Sequence, residues 1–263
     1  MKHIKDARRL VVKVGTSTLT YETGRLNLRR VETLVRVLSD IKNSGREILL
    51  VTSAAIGVGA GLLGLPERPR DTAGKQAAAA VGQSELMNTY SRHFNEYGHV
   101  AGQVLITRDV IENATRKQNA VNTLTQLLAY GVVPVVNEND TVSTEELDYA
   151  FGENDTLAAI VAGLVGADAL ILLTDIDGLY TVDPRTDPAA EKIPVVTKID
   201  DQLMAMTSGA GTRRGTGGMQ TKLRAAKTAA AAGIPTVVME GLDPKRLYDL
   251  LDGQPCGTLF EAE

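Results

Sequence analysis

Residues 10–15 read Leu10-Val11-Val12-Lys13-Val14-Gly15, an apolar run broken by one lysine and closed by a glycine. A short continuous apolar run, as opposed to an alternating one, predicts a strand buried on both faces. Comparable runs recur at Glu47-Ile-Leu-Leu-Val51, Val104-Leu-Ile-Thr107, Val132-Val-Pro-Val-Val136, Ala169-Leu-Ile-Leu-Leu-Thr174 and Thr236-Val-Val-Met239. Pro134 predicts an edge or strand-end position for its run. Asp177-Gly178, just after the 169–174 run, suits a type I′ hairpin turn.

Helical patterns lie between these runs. Leu28, Val31, Leu34, Val35, Leu38 and Ile41 recur at helical spacing and Gly45 follows as a stop. Helices are also predicted over 54–61, 71–97, 119–130, 155–165, 219–232 and 245–251. Strands alternating with helices predict an α/β fold, a three-layer α/β/α sandwich around a mainly parallel sheet.

The chain has 263 residues, 43% of them apolar, and a formal net charge of −4. That length suits one large domain or two fused lobes. No run of Lys or Arg is long enough for a nucleic-acid or membrane patch; the nearest, Arg213-Arg214, is two residues in a Gly-rich loop. An anionic ligand must therefore be met by a few placed cations. The single cysteine, Cys256, excludes an intrachain disulfide and fits a reducing compartment. Residues 1–9 lack the apolar stretch of a signal peptide, and no run is long enough to span a bilayer. The expectation is a cytoplasmic protein with no nucleic-acid or membrane partner.

Ligands of open parallel sheets bind at the carboxyl ends of the strands. The residues after the predicted strands are Gly15, Thr16 and Ser17; Thr52 and Ser53; Asn137, Glu138, Asn139 and Asp140; and Thr174 with Asp175. A lone Lys13 could simply snorkel to solvent from an edge strand. Gly15 beside it favours phosphate recognition, because glycine lets a ligand approach the backbone. The Ser208–Gly218 loop, otherwise a plain surface connection, runs into Met219-Gln220-Thr221-Lys222 at a helix start. Free N–H groups, the positive dipole end and a lysine there suit an anion.

Other motifs carry less. Gly59-Ala-Gly61-Leu-Leu-Gly64 matches a dinucleotide string but lies beyond its strand, so helix packing is the better reading. No P-loop string is present. Asp175-Ile-Asp177-Gly178 lacks the later ligands of a calcium loop, and His3, His93 and His99 have no metal spacing. No protein-held metal is expected, and Cys256 reads as structural.

Six strings taken in order, Val12-Lys-Val-Gly-Thr-Ser17, Val51-Thr-Ser-Ala-Ala-Ile56, Val136-Asn-Glu-Asn-Asp140, Phe151-Gly-Glu-Asn-Asp155, Leu173-Thr-Asp-Ile-Asp-Gly178 and Gly215-Thr-Gly-Gly-Met-Gln-Thr-Lys222, closely resemble the amino acid kinase family. Within it the resemblance is to members that phosphorylate the γ-carboxylate of L-glutamate with ATP, the first step of proline biosynthesis. It implies Lys13, Lys222 and Asp155 as catalytic residues, Asp155 organising the two lysines. Ser53, Asp140 and Asn154 match glutamate-binding positions. Lys13, Gly15, Thr174, Asp175, Thr216, Gly217, Gly218, Met219, Gln220, Thr221 and Lys222 match the ATP site, with Mg²⁺ held through the phosphates. It further implies an acceptor lobe over about 1–170 and a nucleotide lobe over 171–263. Proline as feedback inhibitor, a dimer or tetramer, and hand-off to glutamyl phosphate reductase are implied too.

Three departures stand out. The family usually has Ser-Gly-Ala where this chain has Ser53-Ala54-Ala55. If that glycine needs a positive φ, Ala54 is strained. Glu153 replaces an aspartate of the usual Gly-Asp-Asn-Asp string, which would move its loop. Many bacterial members also carry a C-terminal PUA module, and this chain reads as the kinase domain alone. Two alternatives stay open: another small acceptor (acetylglutamate, aspartate, carbamate, a nucleoside monophosphate, isopentenyl phosphate), or a nucleotide sensor without catalysis.

Overall fold

The computed structural model describes residues 2–142, 154–206 and 218–262. In chain order the elements are α1 (Lys2–Lys5), β1 (Arg9–Val14), α2 (Thr16–Leu19), α3 (Leu28–Asn43), β2 (Glu47–Val51), α4 (Ala55–Leu62), α5 (Thr72–Glu96) and β3 (Ala101–Ile106). There follow α6 (Arg108–Glu112), α7 (Ala114–Ala129), β4 (Val133–Glu138), α8 (Asn154–Val165), β5 (Ala169–Thr174), β6 (Leu179–Tyr180), β7 (Lys192–Ile193) and β8 (Val195–Val196). The last are α9 (Asp201–Met206), α10 (Met219–Ala230), β9 (Thr236–Glu240), α11 (Arg246–Leu251) and β10 (Thr258–Phe260).

One eight-stranded sheet runs β3-β4-β2-β1-β5-β9-β10-β8. Its pairings are parallel except β9 with β10. The apolar strands feed two cores by simple alternation. Leu10, Val12, Val14, Ile48, Leu50, Ile171 and Leu173 join one cluster with side chains from α3, α4, α5 and α11. Val11, Leu49, Val51, Leu170 and Leu172 join the other with α7, α8 and α10. This is the three-layer sandwich, and its parity matters for the site. Lys13 shares the register parity of Val11, so it belongs to the face covered by α8 and α10.

Of the glycines of 59–64, Gly59 packs helix on helix, Gly61 faces the turn at residues 23–25, and Gly64 meets open space. A Cβ at Gly59 would lie 1.8 Å from Ala78 O, and one at Gly82 would lie 1.8 Å from Ala55 O. Helices α4 and α5 therefore touch backbone to backbone, which fixes the start of α4 against the site.

One local expectation is narrowed and another needs correction. Strand β4 is interior, paired with β3 and β2, so Pro134 takes the strand-end position and not an edge. It is the strand's second residue, and the register with β2 begins only at Val135. Asp177-Gly178 forms no hairpin between β5 and β6, because β6 pairs with β7 in a separate two-stranded sheet. Gly178 does have φ 151, and a Cβ there would sit 2.7 Å from Thr258 Oγ1. Close approach to β10, not hairpin geometry, is what this glycine serves.

Candidate active site

The carboxyl ends of β1, β2, β4 and β5 meet the N-termini of α8 and α10. Asp155, the second residue of α8, is 2% exposed and sits between Lys13 and Lys222. Lys13 Nζ is 2.7 Å from Asp155 Oδ1, and Lys222 Nζ is 3.1 Å from Oδ2. Lys13 ion-pairs with Oδ1, and Lys222 and the Thr221 hydroxyl (2.9 Å) both hydrogen-bond Oδ2. Burial alone would push the Asp155 carboxyl up. The charges of Lys13 and then Lys222, with hydrogen bonds, outweigh that and hold it well below the usual carboxylate range. Among the described residues, this buried cluster brings two lysines to one carboxylate.

Why these residues meet follows from the fold. Lys13 comes from the strand face toward α8 and α10, and Asp155 and Lys222 both lie in first turns of those helices. Gly218, the N-cap of α10, supplies no side-chain cap, so the helix's leading N–H groups are open to another partner. A Cβ at Gly15 would stand 3.6 Å from Lys13 Nζ, on the approach to that ammonium.

Ser53 and Asn154 meet directly beside this cluster. Asn154 Nδ2 donates to Ser53 Oγ at 2.9 Å and to Thr52 O at 2.7 Å. Asp140 lies half-buried in the turn after β4. Thr174 and Asp175, joined by a 3.1 Å hydrogen bond at the end of β5, line a cleft of about 160 Å³ with Met219, Gly218 and Lys222. Gln220 is in the first turn of α10. Thr216, Gly217 and Glu153 lie outside the described residues. A larger cavity, about 730 Å³, opens near Arg46 and Tyr248 and contains none of the predicted site residues. The smaller cleft is the one that holds Lys222, the partner of Asp155.

The same cleft includes Tyr180, Pro184, Arg185 and Met206, which no sequence motif announced. Beneath Ser53, Tyr90 OH lies 2.8 Å from Thr52 Oγ1, and burial pushes that phenol's pKa far up. Gln83, also from α5, accepts from Asn137 at 2.8 Å. Both sit in a helix whose sequence reads only as Ala-rich.

Ala54 is the one non-glycine residue with positive φ among the described residues, at φ 84 and ψ 4. The strain expected from the Ser53-Ala54-Ala55 string is therefore present, at the N-cap of α4. Comparing Ala54→Gly with Ala55→Gly isolates it, because each variant loses one buried methyl and gains the same unfolded-state freedom. The difference left is mainly the left-handed penalty for alanine, about 1–2 kcal/mol, with a smaller helix cost of glycine at Ala55, the first residue of α4. Thermal unfolding should place Ala54→Gly about 4 °C above Ala55→Gly. Equal midpoints would mean that Ala54 carries no strain.

The amino acid kinase family model matches residues 8–240. The chain belongs to the amino acid kinase family. Among its relatives is the glutamate 5-kinase of Clostridium perfringens, 52% identical over 264 residues, covering 100% of this chain and 98% of that protein. The glutamate 5-kinase of Listeria welshimeri is 50% identical, covering 98% of this chain and 94% of its own length. That of Moorella thermoacetica is 52% identical and covers 98% of this chain, which spans 68% of that protein. The solved isopentenyl phosphate kinase of T. acidophilum superposes with a TM-score of 0.67 at 20% identity, covering 96% of this chain and 100% of its own. A UMP kinase from Bacillus anthracis gives 0.66 at 16%, over 98% and 97%. These two share the amino acid kinase fold with this chain.

Proposed function

We propose that the chain transfers the γ-phosphoryl group of MgATP to the γ-carboxylate of L-glutamate, giving L-glutamyl 5-phosphate and ADP, the first step of proline biosynthesis. The buried Lys13–Asp155–Lys222 cluster carries this reading. Phosphoryl transfer spreads charge over the equatorial oxygens, and the reaction needs alignment and fixed positive charge more than covalent chemistry. A γ-carboxylate is ionised at neutral pH, so no general base is required. One of its oxygens forms the bond to the γ-phosphorus as the bond from that phosphorus to the β–γ bridging oxygen breaks, and ADP leaves with the electron pair. Lys13 and Lys222 would meet the transferring group, with Asp155 setting their positions.

Glutamate 5-kinases at about 50% identity over nearly the full chain support the choice of acceptor. Ser53 and Asn154 would hold the substrate, with Asp140 on its α-ammonium. Thr174, Asp175, Gly15 and the Thr216–Lys222 segment would hold ATP. Among the described residues no three His, Cys, Asp or Glu side chains are grouped as a metal cage. Mg²⁺ is read as arriving on the phosphates of ATP, as the family resemblance implies. The acceptor end would occupy about 1–170 and the nucleotide end 171–263. No described helix is long and apolar enough to cross a membrane; a cytoplasmic enzyme fits the activity. Proline inhibition at the acceptor end, a dimer or tetramer, and hand-off to glutamyl phosphate reductase belong to the same reading.

Incubation with MgATP, hydroxylamine and a panel of carboxylates tests it. Hydroxamate should form with L-glutamate and not with aspartate or acetylglutamate. Product with another carboxylate alone would replace the acceptor, and ATP binding with no product at all would favour a sensor.

A further inference from the structure

Asn154 is held by a run of carboxamides that ends inside α5. Its two Nδ2 hydrogens are shared among three acceptors within hydrogen-bond distance, Thr52 O (2.7 Å), Ser53 Oγ (2.9 Å) and Asn137 Oδ1 (2.9 Å). Asn137 Oδ1 also accepts the backbone N–H of Glu138 at 2.9 Å, while Asn137 Nδ2 donates to Gln83 Oε1 at 2.8 Å. Main-chain groups fix the polarity at two points. A backbone carbonyl only accepts and a backbone N–H only donates, so Asn154 must turn Nδ2 toward Thr52 and Asn137 must turn Oδ1 toward Glu138. Asn137 then presents a donor to Gln83, which must answer with its oxygen. At the other end, every hydrogen bond of the Asn154 carboxamide to a described residue uses Nδ2. Oδ1 is the atom left to meet a ligand.

We infer that Gln83 is a positioning residue for the acceptor substrate. By accepting from Asn137 Nδ2 in the core, it holds in place the carboxamide that the Glu138 N–H has already oriented, and so keeps Asn137 Oδ1 against Asn154, whose own Oδ1 is left as an acceptor suited to an ammonium or N–H group of an amino acid. The inference rests on the reading of Ser53 and Asn154 as the acceptor end. Gln83 is 6% exposed and Asn137 is 1% exposed, so neither can exchange its partner for bulk water. Without the Gln83 oxygen, Asn137 Nδ2 is a buried donor with no partner. Any shift of Asn137 that relieves this loosens the hold of its Oδ1 on Asn154. Gln83 Nε2 is itself buried with no hydrogen-bond partner among the described residues. The bond to Asn137 is therefore the polar reason for a glutamine at this place.

Gln83→Met keeps the length and removes the acceptor. The KM for L-glutamate should rise about fivefold to tenfold, the loss of one buried hydrogen bond, with kcat and the KM for ATP within about twofold. Gln83→Glu keeps the acceptor oxygen with a carboxyl that burial favours in its neutral form, so at a pH low enough to keep it protonated it should bring the KM back to within about twofold of the parent. Asn137→Ala should raise the same KM, and in that background Gln83→Met should add nothing. If Gln83→Met does not fold, Asn137→Ala and Gln83→Glu still give these readouts. An equal KM rise in the Asn137→Ala background, or a lower melting temperature with unchanged KM, overturns the role. If the parent enzyme phosphorylates another carboxylate, glutamate fails as the acceptor while the same variants, assayed with that carboxylate, still decide Gln83.

Discussion

Asp155→Asn is expected to lower kcat about a thousandfold, the largest effect of any single substitution at the site. Removing one member of a buried, paired charge cluster costs about 3–5 kcal/mol, because the remaining charges stay buried and uncompensated. Here the remaining charges are Lys13 and Lys222, 8% and 6% exposed, facing each other across the lost carboxylate. Asparagine keeps the shape and the hydrogen bond from Thr221 but supplies no negative charge, so the two ammonium groups move apart. The acid limb of stability supplies a second readout. Asp155 is held below its unfolded value, near 3.9 in model peptides, so its contribution is fully present above about pH 4. That contribution is lost as pH falls from there through the lowered folded value. Denaturation followed from pH 6 to 2 should show the parent losing stability more steeply than Asp155→Asn. A variant with parental turnover, or with an unchanged acid limb, would remove Asp155 from the centre of the site.

Lys222→Ala should lower kcat by about a hundredfold to a thousandfold, the range for losing one preorganised group that meets developing charge. Its effect on the KM for glutamate should stay within about threefold, because the group acts on the transferring phosphoryl and not on the bound acceptor. The side chain is buried and its stem packs in the first turn of α10, so alanine also opens space. Lys222→Met keeps the stem. It should show the same loss of turnover with a smaller fall in melting temperature. If Met restores turnover, packing explains the alanine variant and the charge does not.

The fold was legible because β1, β2, β5 and β9 are buried on both faces and so read as continuous apolar runs. The same parity that fills both cores also carries Lys13 to the α8–α10 face, which a strand reading alone did not reveal. Two-residue and three-residue strands such as β8 and β10 were not legible, since so short a segment has no period. The start of α7 was read at 119 and lies at 114, marked by the Asn113 cap to Arg116 N. Asp177-Gly178 misled because close approach to Thr258, a contact 80 residues away, demanded the glycine that a hairpin would also have used.

At the site, motif residues were legible by their positions after strands, and the family resemblance grouped them. Gln83 and Tyr90 were not. They occupy the buried face of an Ala-rich helix and touch Asn137 and Thr52, so no local spacing marks them. Ala54 is the reverse case, a departure from a family string whose backbone consequence appears at φ 84.

Oxygen transfer tests the central claim most directly. Glutamate labelled with ¹⁸O in both γ-carboxylate oxygens is incubated with MgATP and hydroxylamine, and the released inorganic phosphate is analysed by mass. If a carboxylate oxygen attacks the γ-phosphorus, that oxygen bridges carbon and phosphorus in the acyl phosphate. Hydroxylamine then attacks the acyl carbon, and the phosphate departs with one ¹⁸O. Phosphate free of label would show that the γ-phosphoryl goes to water, and would contradict transfer to the carboxylate.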